Sequence, residues 1–564
     1  MAISPMVKNA LRRSHPMLRP YLKRARTVTE FHAAVEELTP RQRSRIVRQA
    51  IVLFEELYVN LPLKCAMYAI DPLRRLRLLE QRLPTLFNSD RLFHREMTEI
   101  FSSLCDQHAN YLLPPPYAGT TAWLPFTVEF CQDRGRPHYV VTHVFDGFAR
   151  GGFRRGAEIL FWNGVPIERA VEMASARMPG SRISVRRALG LAILTIRDLR
   201  VQSAPEADWV VVGYRSPRGV CGELRVQWIV SGLPPGPHDA KPRGVSIHGA
   251  AIQHARRVLY AGHLRKSGTD ASARRGRRPP NAGIATGMPD VFEARPVATP
   301  KGTFGYLRIY TFDVPDPASF VDEFARLIGE LPQNGLIVDV RDNPGGRGRA
   351  AEEILQFISP VDPRTGIEPE RLNFRNTPLT LLLCRLQRAN PDLGPNGARP
   401  WISSITAAMQ TGTTYSASFP YSDRARCNAR GRSYPGPAVV VTSARSCSAA
   451  EVFAAGFQDH GGMIVGTDDA TGGAGANART YAQYRDYFRN APGSPLKPLP
   501  MGAGFYLPFR RYQRIGPQAG NEIEDFGVKS DFIHPMTRND ILQDNIDLIA
   551  YAAGLLASGR LPIR

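Results

Sequence analysis

The chain has 564 residues, of which 43% are hydrophobic and 22% are charged, a composition typical of folded globular proteins. Its length predicts about two to four domains. The formal net charge of +21 comes mostly from arginines spread along the whole sequence, without a zinc-finger spacing or an aromatic RNA-binding motif. No specific nucleic-acid partner is therefore expected.

The seven cysteines are odd in number and widely spaced, with no CxxC pair and no Cys/His cluster. They support neither a structural zinc site nor a disulfide framework, and no metal or cofactor is expected. No apolar run approaches the ~18–20 residues of a membrane span, and the basic start lacks the apolar stretch of a signal peptide. A cytoplasmic location without a membrane span is expected, and export by another route stays open.

The first part of the chain, residues 1–115, is predicted to be helical. Apolar residues recur at three- and four-residue spacing over 28–38, 41–58 and 92–108. Thr39-Pro40 is a helix-start signal, because proline suits the first turn, and three consecutive prolines at 114–116 end the region.

Residues 116–233 change to short alternating or apolar runs bounded by glycine, which predicts a β-rich module. Within it, Gly152–Ile167 (GFRRGAEILFWNGVPI) resembles the core of a PDZ domain, in which a glycine turn precedes a strand ending in Asn-Gly. An unrelated β-hairpin is the alternative. Residues 234–300 are rich in Pro, Gly, Arg and Ser and predict a flexible basic linker or loop, with a nucleic-acid-binding arm as the alternative.

Residues 301–564 have the pattern of a parallel α/β core. Apolar strands are predicted at 304–309, 335–340 and 438–442, and helices follow the last two after short loops. The segment from about 360 to 436 is punctuated by Pro and Gly and predicts an insertion that could form a lid.

Two strand–loop–helix units carry the chemistry. Ser448 begins an alanine-rich helix after a strand, where unpaired backbone N–H groups could stabilise an alkoxide or an oxyanion. A plain helix cap is the alternative for that serine. Gly345 and Gly346 open the other helix and could point N–H groups into the same cavity. A phosphate-binding loop is the rival interpretation, but the sequence lacks GxxxxGK[ST].

Four segments together resemble the C-terminal-processing, or tail-specific, serine peptidases: 305–312 (GYLRIYTF), 336–346 (LIVDVRDNPGG), 439–466 (VVVTSARSCSAAEVFAAGFQDHGGMIVG) and 523–542 (IEDFGVKSDFIHPMTRNDIL). The resemblance covers residues 302–555. It implies a crotonase-like α/β core joined to a PDZ-like module and hydrolysis of polypeptide substrates without a cofactor. It also implies that Ser448 is the nucleophile and that the N–H groups of Ala449 and of Gly345 or Gly346 form the oxyanion hole. A homodimer is one assembly that the sequence leaves open.

One departure from the family concerns its catalytic lysine, which lies in a Thr-x-Gly-Lys-Gly segment. Here the matching segment places Ala474 at the lysine position, and no lysine lies between Ser448 and Lys497. The chain is therefore expected to be similar to the Ser-His branch that includes the tricorn core and the chlamydial protease-like enzymes. A neutral imidazole can accept the serine proton near neutral pH.

In this branch the resemblance implies His108 as the base and Glu524 as the carboxylate that orients it, with Asp525 as the second choice. His460 is too far along the nucleophile helix and is expected to cap its end. Cys447 is expected to be a buried apolar residue. The alternative function is a catalytically inactive peptide- or lipid-binding protein on the same fold.

Overall fold

The computed structural model describes residues 18–35, 37–86, 89–146, 148, 150–236, 244–260, 283–362, 364–390 and 396–559. The described strands form four β-sheets. One hydrophobic core cluster extends from Leu18 in the amino-terminal helices to Val528 near the carboxyl end, so the helical region and the α/β core share buried surface.

The amino-terminal region is helical, as its periodicity predicts. Thr27 and Thr39 each accept a backbone N–H three residues ahead and form capping boxes with Glu30 and Gln42, which fixes where two of the helices begin. The first predicted segment is helical only as far as His32. The helices are α1 (Arg19–Leu22), α2 (Val28–His32), α3 (Pro40–Glu56), α4 (Leu61–Tyr68), α5 (Pro72–Leu86) and α6 (Asp90–Ser102).

The β-rich module follows. An antiparallel sheet has the strand order β3-β4-β5-β8-β9, with β6 beside β5, and a smaller sheet has the order β10-β2-β7. Asn163 and Gly164 both have positive φ and turn β5 into β6, as their sequence predicts. The elements are β2 (Thr121–Trp123), β3 (Phe126–Asp133), β4 (Arg136–Val144), β5 (Glu158–Trp162), β6 (Val165–Pro166), α7 (Ile167–Ser175), α8 (Ile183–Ile193), β7 (Ile196–Asp198), β8 (Trp209–Arg215), β9 (Cys221–Gln227) and β10 (Ile229–Ser231).

The α/β core is a six-stranded sheet of order β11-β12-β13-β16-β17-β20, parallel except for the first pair. Its central strands are buried except for the first residue of β16, as expected for a parallel sheet covered on both faces. The elements are α9 (Ile247–Tyr260), β11 (Phe292–Thr299), β12 (Gly302–Ile309), α10 (Pro317–Glu330), β13 (Leu336–Asp339), α11 (Gly348–Glu353), α12 (Leu355–Ile358), β16 (Ala438–Thr442), α16 (Ala449–Asp459), β17 (Met463–Gly466), β20 (Phe532–Ile533), α18 (Arg538–Leu542) and α19 (Ile546–Ser558).

A second sheet joins the distant parts of the chain. Its long central strand β19 pairs with β1 just after the amino-terminal helices, with β14 from the insertion, and with β18. The elements are β1 (Asn110–Leu112), β14 (Arg371–Phe374), α13 (Pro378–Leu386), α14 (Arg399–Thr411), β15 (Phe419–Pro420), α15 (Arg424–Cys427), β18 (Ala476–Thr480), α17 (Tyr481–Tyr487) and β19 (Gly504–Gln513).

Two segments are more ordered than the sequence predicts. Residues 234–300 are not a linker throughout, because they include α9 and β11, and β11 pairs along its whole length with β12. The basic run around Arg274–Arg278 lies outside the described residues. The insertion at 360–436 contributes two strands to the second sheet. Among the described helices, none is long and apolar enough to cross a membrane.

Candidate active site

Ser448 lies at a sharp turn between β16 and α16. Its backbone has φ +55° and ψ −117°, a conformation that is costly for a residue with a side chain and that is concentrated at functional sites. The residue is 3% exposed, and its hydroxyl donates a hydrogen bond to the Gly244 carbonyl at 2.7 Å. The strained turn therefore directs the serine hydroxyl to a carbonyl oxygen of the chain itself.

Glu451, one turn into α16, holds this turn in place. Its carboxylate accepts the Ser448 N–H at 2.9 Å, the Thr471 hydroxyl at 2.6 Å, and the N–H groups of Gly473 and Ala474 at 2.7 and 2.8 Å. Burial raises the pKa of Glu451 to about 7, while these donors favour the ionised form. The loop in which the family carries its lysine is thus fixed to the nucleophile through a glutamate.

The glycine loop after β13 faces Ser448. Gly345 and Gly346 have φ of +101° and +141°, and a Cβ at Gly345 would lie 2.5 Å from the Cβ of Ser448. Only glycine fits so close to the nucleophile. The Gly345 N–H is taken by Asn343 Oδ1 at 2.9 Å, whereas the Gly346 N–H donates to the Gly244 carbonyl at 2.9 Å. Gly346, and not Gly345, therefore directs its N–H toward the oxygen that Ser448 contacts.

Residues 244–246 occupy this site as a short extended segment. Val245 forms a β-bridge with Gly345, and the Ser246 N–H donates to the Pro344 carbonyl at 2.8 Å. The Val245 N–H donates to the Tyr506 hydroxyl at 3.0 Å. The Gly244 carbonyl thus accepts hydrogen bonds from both the candidate nucleophile and a candidate oxyanion-hole donor. Ala449, the other oxyanion-hole candidate, is the first residue of α16 and is buried.

His108 lies between α6 and β1 and has no solvent exposure. Neither ring nitrogen has a hydrogen-bond partner, and burial lowers the pKa of His108 to about 4, so the imidazole is neutral. Its ring lies 6.2 Å from the ring of Tyr506, whose hydroxyl contacts the 244–246 segment. In this conformation the Ser448–His108 hydrogen bond is not formed, and the serine hydroxyl donates to the Gly244 carbonyl instead.

Glu524 lies next to His108. Asp106, His108 and Glu524 each contribute one oxygen or nitrogen atom to a cluster in which the three atoms lie within 4.8 Å of one another. Glu524 Oε2 has no hydrogen-bond partner. Glu524 Oε1 accepts a hydrogen bond from Lys64 at 2.8 Å. The second choice, Asp525, is turned to Lys64 and to the hydroxyl of Tyr68. Glu524, and not Asp525, therefore belongs to the buried cluster that contains His108.

Asp106, His108 and Glu524 could in principle ligate a metal. However, the Lys64 ammonium lies against Glu524, and Asp106 already accepts hydrogen bonds from the Tyr58 hydroxyl and the Asn60 amide. A divalent cation would have to compete with the fixed positive charge of Lys64. The two carboxylates are therefore better suited to orienting His108 than to binding a metal.

The remaining candidates have structural roles. Cys447 is buried, its thiol donates to Gln107 Oε1 at 3.4 Å, and burial raises its pKa well above the usual range, so a reactive thiolate does not form. His460 ends α16, and its ring contacts the Gly456 carbonyl and the Glu368 N–H. Ala474 is buried.

Sequence reasoning missed four residues of this site: Lys64, Gly244, Glu451 and Tyr506. Glu451 had a local signal, because an acidic residue three positions after a helix-initiating serine predicts a capping box. The other three lie far from Ser448 in sequence, so their role depends on tertiary contacts alone.

Comparison with known proteins finds two family matches within the chain. The model of peptidase family S41 matches residues 303–533, and a PDZ domain model matches residues 120–234. Among curated proteins, none matches the chain. The structure of mature CPAF is 19% identical with a TM-score of 0.66, covering 93% of this chain and 99% of that chain. Mature CPAF complexed with lactacystin is 18% identical with a TM-score of 0.64, covering 92% and 99%.

At these identities the likeness to CPAF shows the fold, whereas the S41 match covers the segments that carry Ser448, the glycine loop and Glu524. The PDZ match coincides with the β-rich module. Residues 303–533 thus form a peptidase domain that matches family S41, preceded by a PDZ domain at residues 120–234, and the chain is a serine peptidase.

Proposed function

We propose that the chain is an endopeptidase that hydrolyses polypeptides through Ser448, His108 and Glu524 on a crotonase-like core. The observation that carries this proposal is the position of the Gly244 carbonyl. The Ser448 hydroxyl and the Gly346 N–H converge on one peptide carbonyl oxygen at 2.7 and 2.9 Å. A substrate carbonyl at this position would have a nucleophile and an oxyanion donor already in place.

In the proposed reaction, His108 accepts the proton of Ser448 while the serine oxygen attacks the scissile carbonyl carbon. The N–H groups of Gly346 and Ala449 stabilise the resulting oxyanion. The imidazolium then protonates the leaving amine, and the C–N bond breaks to leave an acyl-enzyme. Water, deprotonated by His108, attacks the acyl carbonyl carbon, and the imidazolium returns the proton to Ser448 as the C–O bond breaks and the acid product leaves. Glu524 stabilises the imidazolium at each of these steps.

The choice of His108 over a lysine follows from the surroundings of both. The family's lysine position holds Ala474, whose N–H is bonded to Glu451. Lys64, a lysine that lies against Glu524, donates to Glu524 and Asp525. The carboxylates of Glu524, Asp106 and Asp525 outweigh burial and raise the pKa of Lys64, so it has no free electron pair for a proton.

The alternative is an inactive binding protein, and it is disfavoured because the geometry of the site lowers the stability of the folded chain. A serine at positive φ, two glycines with no room for a Cβ, and a buried histidine with unpaired nitrogens each reduce stability. A binding cleft needs none of them.

A fluorophosphonate probe, read by intact mass, tests the assignment. We expect one adduct on the wild type and none on Ser448→Ala, with loss of nearly all labelling in His108→Ala. His460→Ala is the matched control, because that histidine lies at the far end of the same helix, and it should label like the wild type. Labelling that survives His108→Ala would exclude this histidine as the base.

A further inference from the structure

The amino-terminal helices place a lysine inside the candidate site. Lys64, in α4, has a side chain with 0% exposure. Its ammonium has three N–H donors and three acceptors around it: Glu524 Oε1 at 2.8 Å, Asp525 Oδ1 at 2.5 Å and the Cys105 carbonyl at 3.4 Å. A buried ammonium is stable only when it is paired and hydrogen-bonded in this way, so its position is fixed.

Lys64 lies among three carboxylates, those of Asp106, Glu524 and Asp525. In the part of the chain that the structure describes, no other cation forms an ion pair with them. Burial and the charge of Asp106 raise the pKa of Glu524, and Lys64 opposes that rise. The titratable groups that face Glu524 are Tyr58, Lys64, Asp106, His108 and Asp525.

We propose that Lys64 is a positioning residue of the catalytic site, whose charge favours the ionised form of Glu524 and which fixes one of its oxygens so that the other is left for His108. This inference rests on the function proposed above. It assigns to the amino-terminal helical region a direct part in the reaction.

The two oxygens of Glu524 are used differently. Oε1 is held by Lys64, whereas Oε2 and both ring nitrogens of His108 have no partner. One carboxylate oxygen of Glu524 and one ring nitrogen of His108 lie within 4.8 Å of each other, so a rotation that shortens this distance would join the two groups. An uncharged Glu524 would carry a proton and could not stabilise the imidazolium that forms when Ser448 transfers its proton.

Labelling rates of Ser448 test this inference in the full-length protein. The variants are Lys64→Met, Glu524→Gln and the double variant, measured from about pH 3.5 to 9, a range that includes the lowered pKa of His108, about 4, and the ordinary value of a histidine base. The control is Arg43→Met, which breaks another buried ion pair of the amino-terminal region, Arg43–Asp90 at 2.7 Å. All variants are compared by thermal melting.

We expect Lys64→Met to label at least about tenfold more slowly across the whole pH range, because changing the orienting carboxylate of a serine-peptidase triad to an amide costs up to ~10⁴-fold. The double variant should label no more slowly than Glu524→Gln, since Lys64 acts through Glu524. Arg43→Met should lower the melting temperature and leave the labelling rate unchanged.

A folded Lys64→Met that labels at the wild-type rate would overturn the inference, and so would losses that simply multiply in the double variant. Should Lys64→Met not fold, the double variant and Glu524→Gln decide: equal rates support the inference and a further loss overturns it.

Absence of labelling in the wild type would instead refute the proposed function. The charge of Glu524 is then read by infrared difference spectroscopy of Lys64→Met against wild type at neutral pH. A protonated-carboxyl band that disappears in the double variant supports the role of Lys64, and absence of that band overturns it.

Discussion

The contact between Gly244 and Ser448 predicts that the chain restrains its own nucleophile. In the closed conformation a probe or substrate cannot reach the Ser448 hydroxyl without displacing the Gly244 carbonyl, which lies 2.7 Å away. Gly244→Ala perturbs this contact without changing a reactive group. Gly244 has φ +65°, and a Cβ there would lie 2.8 Å from the Gly346 carbonyl oxygen. The substitution therefore strains the docked segment and leaves the released segment unaffected.

The size of the effect follows from the backbone. A residue with a Cβ in the left-handed region costs ~1–2 kcal/mol, and the contact with Gly346 adds to this cost. Since 1.4 kcal/mol is tenfold, the open population should rise by at least ~5–30-fold. The fluorophosphonate labelling rate should rise by the same factor if opening and closing are fast compared with labelling.

Gly135→Ala is the matched control. Gly135 lies in the β3–β4 turn at φ +75°, and a Cβ there would meet no atom within 4 Å. It should carry a similar backbone strain, visible as a lower melting temperature, with an unchanged labelling rate. If Gly244→Ala labels at the wild-type rate and melts like the control, the 244–246 segment does not restrain the nucleophile, and this reasoning is wrong.

Three further predictions concern buried titratable groups. Glu451→Gln should slow labelling by about tenfold or more, because a buried N–H of the nucleophile turn loses its acceptor at a cost of ~1–3 kcal/mol, and wild-type kinetics in a folded variant would contradict this. As pH falls, the labelling rate of the wild type should stay constant until near pH 4, because burial lowers the pKa of His108 to about 4 and the imidazole stays neutral above it. A decline centred near pH 6.5 would show instead that the base is solvated. Burial raises the pKa of Glu352 from 4.5 to about 8, so ionisation costs stability as pH rises through this window. Glu352→Gln should therefore gain stability relative to wild type up to about pH 8 in urea unfolding, and a constant difference would refute the burial argument.

The turn that carries the candidate nucleophile and the glycine loop could be located from the sequence because both are local features. Each follows a buried strand, and the two strands β13 and β16 are parallel neighbours whose ends meet at one edge of the sheet. The positive φ values of Ser448, Gly345 and Gly346 are local features of their turns, whereas the lack of room for a Cβ at Gly345 depends on the contact with Ser448. Resemblance to a family was needed only to choose catalysis over a helix cap.

The base and its supports could not be predicted in this way. His108 and Glu524 were assigned only through the resemblance, and Lys64 is separated from Glu524 by 460 positions. In sequence, Lys64 looks like an ordinary helix lysine, and its burial depends on where the chain returns after β19. Gly244 lies in a segment whose composition predicted a linker, because composition reports the cost of ordering a segment and not the contacts that offset it.

These contacts mean that the peptidase domain alone is an incomplete catalyst in the proposed mechanism. The S41 match covers 303–533, yet His108 and Lys64 precede it, and β1, just after His108, is hydrogen-bonded to β19 of the second sheet. A family member with its lysine in the core needs no such partner. With Ala474 at the lysine position, the proposed mechanism takes its base from another part of the chain, so the packing of the amino-terminal helices against the core becomes a condition for proton transfer. A movement between the two parts would separate Lys64, which lies in an amino-terminal helix, from Glu524, which lies in the core.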